Sequence, residues 1–161
     1  VDLSWSDTIL NAASPFRSVN GYGLFRVMTL ERPEIVIEGS LDGVVWTEWE
    51  LRWKPGSPER TPSLVAPHQP RLDWQLWFAA LNPRGDSYWL SALLVRLLEG
   101  EAAVTALMDD APFPTTPPRL LRLAYYDYRF TTTTERDETG DWWHRELVDY
   151  LTEPVSLADV R

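Results

Sequence analysis

The residues best placed to do chemistry sit in one short stretch, Pro67–Leu81, which reads PHQPRLDWQLWFAAL. His68 and Asp73 stand five residues apart in it and could form a base and its orienter. No serine inside this knot offers a nucleophile, although Ser63 lies just upstream, and no G-x-S-x-G elbow occurs anywhere in the chain. The simpler role for His68, Gln69, Arg71 and Asp73 is to tie a proline-bracketed loop to the start of a helix. Hydrogen bonds and an ion pair would do this, because polar side chains near buried backbone usually satisfy it. Contact with a partner through His68 or Arg71 is the alternative.

The other acidic pairs make weaker cases. Glu48 and Glu50 share one face of a strand about 7 Å apart, a spacing that paired glycosidase carboxylates could use, but a solvated sheet face is the commoner setting. Asp109-Asp110 reads as a helix end beside a loop, and calcium would need more oxygen ligands nearby. Asp137, Glu138 and Asp141 read as a solvated turn. With no cysteine and two histidines, disulfides, thiol catalysis and thiolate metal sites are excluded and a zinc site is expected to be absent. No cofactor is expected.

Composition narrows the partners. The net charge is −9, and a single lysine, Lys54, stands beside fourteen unclustered arginines. Neither nucleic acid nor an anionic membrane surface is expected to bind such a chain. Nine tryptophans point to a core or interface built on large flat anchors. Trp46 is out of phase with Trp49 and Trp53 on its strand, so one of the two sets faces outward or meets another element; Trp46 is the candidate partner contact. No stretch reaches the run of roughly 18 apolar residues that a membrane span needs.

These side chains must be positioned by a sheet interrupted by helices. Trp5–Ala13 reads as a short helix and Val19–Met28 as a strand with a bent start. Pro33–Ser40 and Val44–Trp53 read as an antiparallel hairpin across Asp42-Gly43, with Val45, Trp49, Leu51 and Trp53 on its buried side. Pro55–Pro70, with five prolines, is a loop. Arg71–Leu81 follows, apolar nearly all round and therefore expected as a central buried plug. Ser87–Glu99, capped by Asp86 and stopped by Gly100, carries a leucine stripe, and a third helix covers about Glu101–Met108. Arg119–Thr131 is a long aromatic strand, Thr131–Asp141 a polar hairpin tip, and Trp142–Leu151 fits a helix or a strand, with strand favoured as its partner.

The pattern predicts one α+β domain over residues 1–161: an antiparallel sheet or sandwich with a helical insert at about 70–108. The text IVIEGSLDGVVWTEW resembles a hairpin of discoidin-type jelly rolls, a galactose-binding-like form. That likeness implies, as the alternative function, a carbohydrate- or lipid-headgroup-binding sandwich module.

A longer likeness covers most of the chain. VNGYGLFRVMTLERPEIVIEGSLDG at Val19–Gly43 and VAPHQPRLDWQLWFAAL at Val65–Leu81, joined by KPG at Lys54–Gly56 and WWHRE at Trp142–Glu146, resemble the soluble C-terminal region of the lipase maturation factor family. The resemblance implies a non-catalytic, chaperone-like domain whose partner is a client lipase or other secreted protein. It also implies membrane-spanning segments ahead of this piece, and a place on the non-cytosolic side: the endoplasmic-reticulum lumen, or the periplasmic side in a bacterium.

Overall fold

The structure, a computed structural model, describes residues 31–160 apart from 66, 67, 69 and 86. The helix expected at Trp5–Ala13, the strand at Val19–Met28, the capping role of Asp86 and the position of Gln69 lie outside the described residues. The rest fold as strands β1 (Arg32–Ser40) and β2 (Thr47–Trp49), helices α1 (Arg71–Leu81), α2 (Tyr88–Leu98) and α3 (Ala102–Thr105), strand β3 (Leu120–Phe130), helix α4 (Thr133–Thr139) and strand β4 (Trp143–Tyr150). The strands make one antiparallel sheet in the order β2-β1-β3-β4. Among the described residues there is no second sheet, so neither the sandwich nor the jelly roll is found there; an α+β architecture is.

β1 is the spine. It pairs with β2 on one side (Ile37 opposite Trp49) and along its whole length with β3 on the other (Ile35 opposite Tyr125, Ile37 opposite Leu123). Side chains alternate across a strand, so Ile35 and Ile37 face one way and Glu34, Val36, Glu38 and Ser40 the other. The isoleucines join Trp49, Leu51, Leu121 and Leu123 beneath the helices. Gly39 matters here, because a Cβ on it would lie 2.6 Å from the Phe113 ring.

The hairpin forms as expected, with Trp49 and Leu51 buried, but its second strand is three residues long rather than ten. The cause is Asp42. Its Oδ1 accepts the N–H groups of Val44 (2.8 Å) and Val45 (2.9 Å), which are thereby withheld from the ladder. Gly43 completes the wide turn at φ +81°. At the other end the chain changes partner: Leu51 bridges Met108, and Asp109 N–H donates to Glu50 O at 2.8 Å. Val45 and Trp53, expected on the buried side, are therefore exposed.

Helix α1 is not a plug. It buries Asp73, Leu76 and Ala80 against β1, leaves Trp74 and Trp77 half-buried, and exposes Phe78 and Leu81. Its aromatics cover one another instead: Trp74 stacks on Phe78 at 5.7 Å and meets Trp77 edge-on at 6.2 Å. Neighbours at i, i+3 and i+4 on a helix are close enough for this, so a wide aromatic circumference needs no surrounding core. The better-buried helix is α2, whose Leu90, Leu93, Leu94, Leu97 and Leu98 all point inward. The third helix is one short turn, with Glu101 accepting Ala103 N–H.

The polar tip between β3 and β4 winds into α4. Thr132 Oγ1 accepts Glu135 N–H, the Glu135 carboxylate accepts Thr132 N–H, and Gly140 closes the helix at φ +82°. β4 is a strand, as favoured, and Trp143 at its start is buried while Trp142 is half-buried. After it, Val155 exchanges backbone hydrogen bonds with Leu121 at 2.8 and 2.9 Å, which covers that end of β3.

If α1 packs by one face, truncations on its buried and half-buried sides separate. Leu76→Ala should cost about 2–5 kcal/mol, as for an emptied core site, whereas Trp77→Ala should cost about 1–2 kcal/mol, in keeping with half-burial. Urea denaturation of the two variants checks this, and equal losses would restore the plug.

Candidate functional site

The knot at the start of α1 is not arranged as a base and its orienter. Asp73 lies in the first helical turn with its carboxylate buried, and Oδ1 accepts Trp53 N–H at 2.9 Å. Burial pushes its carboxyl above the ordinary range, while the Trp53 N–H and the charges of Lys54 and Arg60 pull it back. His68 and Ser63 are exposed, and His68 is not hydrogen-bonded to Asp73. Arg71 is exposed at the first helical position. So Asp73 ties the helix to the chain after β2, and His68 and Arg71 face solvent beside it. Trp46 is half-buried, with the Arg122 guanidinium 4.1 Å above its ring and Tyr150 on that guanidinium at 4.3 Å.

The larger concentration of charge lies on the sheet face away from the helices. Glu34, 0% exposed, receives Arg32 Nε at 3.1 Å on Oε1. Lys54 Nζ lies 2.9 Å from Oε2 and also donates to Ile35 O at 2.7 Å. The Oε2 contact lies off the line of a good hydrogen bond, so it is an ion pair held mainly by charge. Along the same face Glu38 takes Arg122, and Glu48 takes both Nη atoms of Arg145 at 2.8 Å. Arg145 also donates to the Tyr128 hydroxyl at 3.1 Å, which itself donates to Gly56 O at 2.9 Å. Burial disfavours the Arg145 charge, but its bonds to Glu48 and Tyr128 outweigh that and hold it firmly protonated. Burial is likewise the main reason the Tyr128 hydroxyl is pushed up to about 12, against the pull of Arg145.

The acid pairs weighed from the sequence are thus not a solvated face. Glu48 holds Arg145, and Glu50 holds Arg60 at 3.0 Å and Ser57 N–H at 2.8 Å. Asp109 takes Arg60 at 2.6 Å. Each of these carboxylates is thus occupied by a guanidinium. Among the described residues no group of three or more histidines and acids is gathered to hold a metal.

Two features had no clear warning in the sequence. The first is a set of exposed apolar side chains, Leu147, Val148 (59% exposed) and Tyr150 on β4, and Phe130 (58%) at the end of β3, stacked on Trp143 at 4.4 Å. Among the described residues nothing pairs with the far edge of β4. The second is a shallow pocket of about 300 Å³ between α1 and α2, with Phe78 and Trp89 among its walls. The sequence does show apolar letters in ELVDY, but not which side of the sheet they take.

A family model described as the lipase maturation factor C-terminal domain matches residues 18–153. Among curated proteins, the chain is 45% identical over 157 residues to lipase maturation factor 2 of Homo sapiens, covering 94% of this chain and 22% of that protein. It is 47% identical over 146 residues to lipase maturation factor 2 of Mus musculus, covering 87% and 20%. Against lipase maturation factor 1 of Mus musculus it is 35% identical over 170 residues, covering 100% and 30%. The chain therefore spans a fifth to under a third of the length of these relatives. No solved structure matches it.

Two outcomes test the charged face. Lys54→Met should cost about 3–5 kcal/mol, because it leaves Glu34 buried with only the edge contact from Arg32; urea denaturation measures it, and Glu34→Gln added to Lys54→Met should recover part of the loss. A loss under about 1 kcal/mol would make the pair incidental. The second outcome is a pH dependence. A hydroxyl whose folded pKa lies above its unfolded value stabilises the fold fully below the unfolded value and loses this as pH rises towards the folded one. Stability should accordingly fall from about pH 10 to about pH 12, the window set by the Tyr128 shift. Tyr128→Phe should flatten that fall; an unchanged slope would remove Tyr128 as its source.

Proposed function

The chain belongs to the lipase maturation factor family, and on that premise we propose that it is a non-catalytic, chaperone-like interaction domain. It helps a client lipase, or another secreted protein, reach its active folded or assembled state. The observation that carries this reading is the β4 patch, where Phe130, Leu147, Val148 and Tyr150 stand exposed beside an unpaired strand edge. A partly folded client exposes apolar surface that its native form hides, so such a patch favours the former. The pairing of Glu48, Glu50 and Asp109 with arginines supports a role without turnover.

The same reading sets the domain on the non-cytosolic side of a membrane, in the endoplasmic-reticulum lumen or on the periplasmic side. On this reading spanning segments would belong to the part of the protein ahead of it; among the described residues no helix is long and apolar enough to cross a membrane. His68 and Arg71, both exposed, are the polar contacts offered to the client beside α1, with Gln69, Asp73 and Trp46 in the same role or supporting it.

The test is affinity for a lipase in two states. The chain should bind a heat-destabilised lipase more tightly than the native enzyme. Val148→Asp should weaken that binding at least about tenfold, or ~1.4 kcal/mol, without lowering the thermal midpoint of the chain, and Phe130→Ser should weaken it beyond what the lost stacking on Trp143 costs in stability. Equal affinity for both states of the lipase would sink the proposal. Replacing His68 or Arg71 by Ala should reduce lipase recovery beyond any loss of stability. Ester hydrolysis by the chain that vanishes with His68→Ala would overturn the non-catalytic reading.

A further inference from the structure

We propose that the pocket between α1 and α2 is a binding site for one neutral sugar ring, a pyranose of a glycan. The pocket, of about 300 Å³, is walled by Phe78 and Trp89 and lined by Gln75, Asn82 and Ser87. Its size is at the lower end of small-ligand sites, enough for a single ring and too small for an oligosaccharide. Phe78 is half-exposed, and Trp89 is packed partly against the core, which fixes one aromatic wall and leaves the other accessible.

Chemistry narrows the occupant. Among the described residues the side chains of Gln75, Asn82 and Ser87 make no hydrogen bond, and Ser87 leaves the α2 start uncapped by its hydroxyl. Two amides and a hydroxyl with their donors and acceptors free favour a ligand that both donates and accepts at several points. A purely apolar chain would desolvate those groups without replacing their bonds, which is costly. A phosphate or carboxylate calls for a cation or an array of backbone donors, and the described lining residues carry no charge. What satisfies both walls and lining is a polyhydroxylated ring: hydroxyl edges for the amides and apolar C–H faces for the aromatics. Gly85 leaves room for the Asn82 amide, since a Cβ there would lie 2.5 Å from Nδ2. This inference stands apart from the client reading and shares no residue with the β4 patch.

The experiment is a titration of the isotope-labelled chain with methyl α-mannopyranoside, methyl β-glucopyranoside, methyl β-galactopyranoside and N-acetylglucosamine, followed by NMR. At least one should shift the side-chain amide signals of Gln75 and Asn82 and the indole signal of Trp89, saturating in the millimolar range expected for a single ring. Gln75→Ala should weaken that binding at least about fivefold with an unchanged thermal midpoint, and Phe78→Ala, which also unstacks Trp74, should weaken it at least about fivefold at a temperature where the variant stays folded. Absence of shifts with all four sugars overturns the proposal. So do equal shifts in the variants, or shifts given instead by inorganic phosphate or by N-methylacetamide. Loss of lipase binding with sugar binding intact, or the reverse, separates this site from the client surface.

Discussion

A carboxylate with no access to water needs a cation, and much of this fold follows from how Glu34 obtains one. β1 is buried on both faces, so the acids at its alternate positions cannot look to solvent. Lys54, itself only 7% exposed, reaches Glu34 from the loop after β2 and closes on Ile35 O as well. That second bond occupies a backbone carbonyl on the side of β1 that the three-residue β2 leaves without a partner. One ammonium thus neutralises an acid and finishes a sheet edge. A lone buried charge would be worth several kcal/mol against the fold, which makes the position of this loop far from optional.

The two sheet faces consequently carry different kinds of core. Beneath the helices it is leucine, isoleucine and tryptophan, tolerant of rearrangement so long as volume is kept. On the other face it is arginine, glutamate and tyrosine, where each group has few acceptable partners. Arg122 between Trp46 and Tyr150, and Arg145 over Tyr126 with Glu48 beneath its fork, fix the relative placement of β2, β3 and β4 more narrowly than apolar contact would.

Features that depend on neighbours in sequence were legible beforehand, and those that depend on distant pairing were not. The Asp42-Gly43 turn, the leucine stripe of α2 and the aromatic strand β3 read directly. The helix at the β3–β4 tip was spelled out too, as Thr132 followed by Glu135 three residues on, but a run of four threonines reads as β-prone and masked it. α1 misled because periodicity counts apolar residues without asking whether they cover each other. At the candidate site, Asp73 was recognisable as a helix-start acid, yet its acceptance of Trp53 N–H spans 20 positions. The Glu38–Arg122 and Glu48–Arg145 pairs span 84 and 97, and no local pattern encodes such a meeting.

The solitary lysine has one more consequence. Every other basic side chain apart from the two histidines is a guanidinium, so Lys54 is the only side-chain amine the molecule owns. While the loop stays closed that amine is shielded by an acid and a carbonyl, out of reach of acylating reagents and of enzymes that modify lysine. The folded chain therefore offers no lysine to them, and its other side-chain cations, the histidines aside, are guanidiniums that stay charged. Only when the loop after β2 lifts does a reactive amine come into view, which makes lysine acylation a native clock for the opening of this one segment.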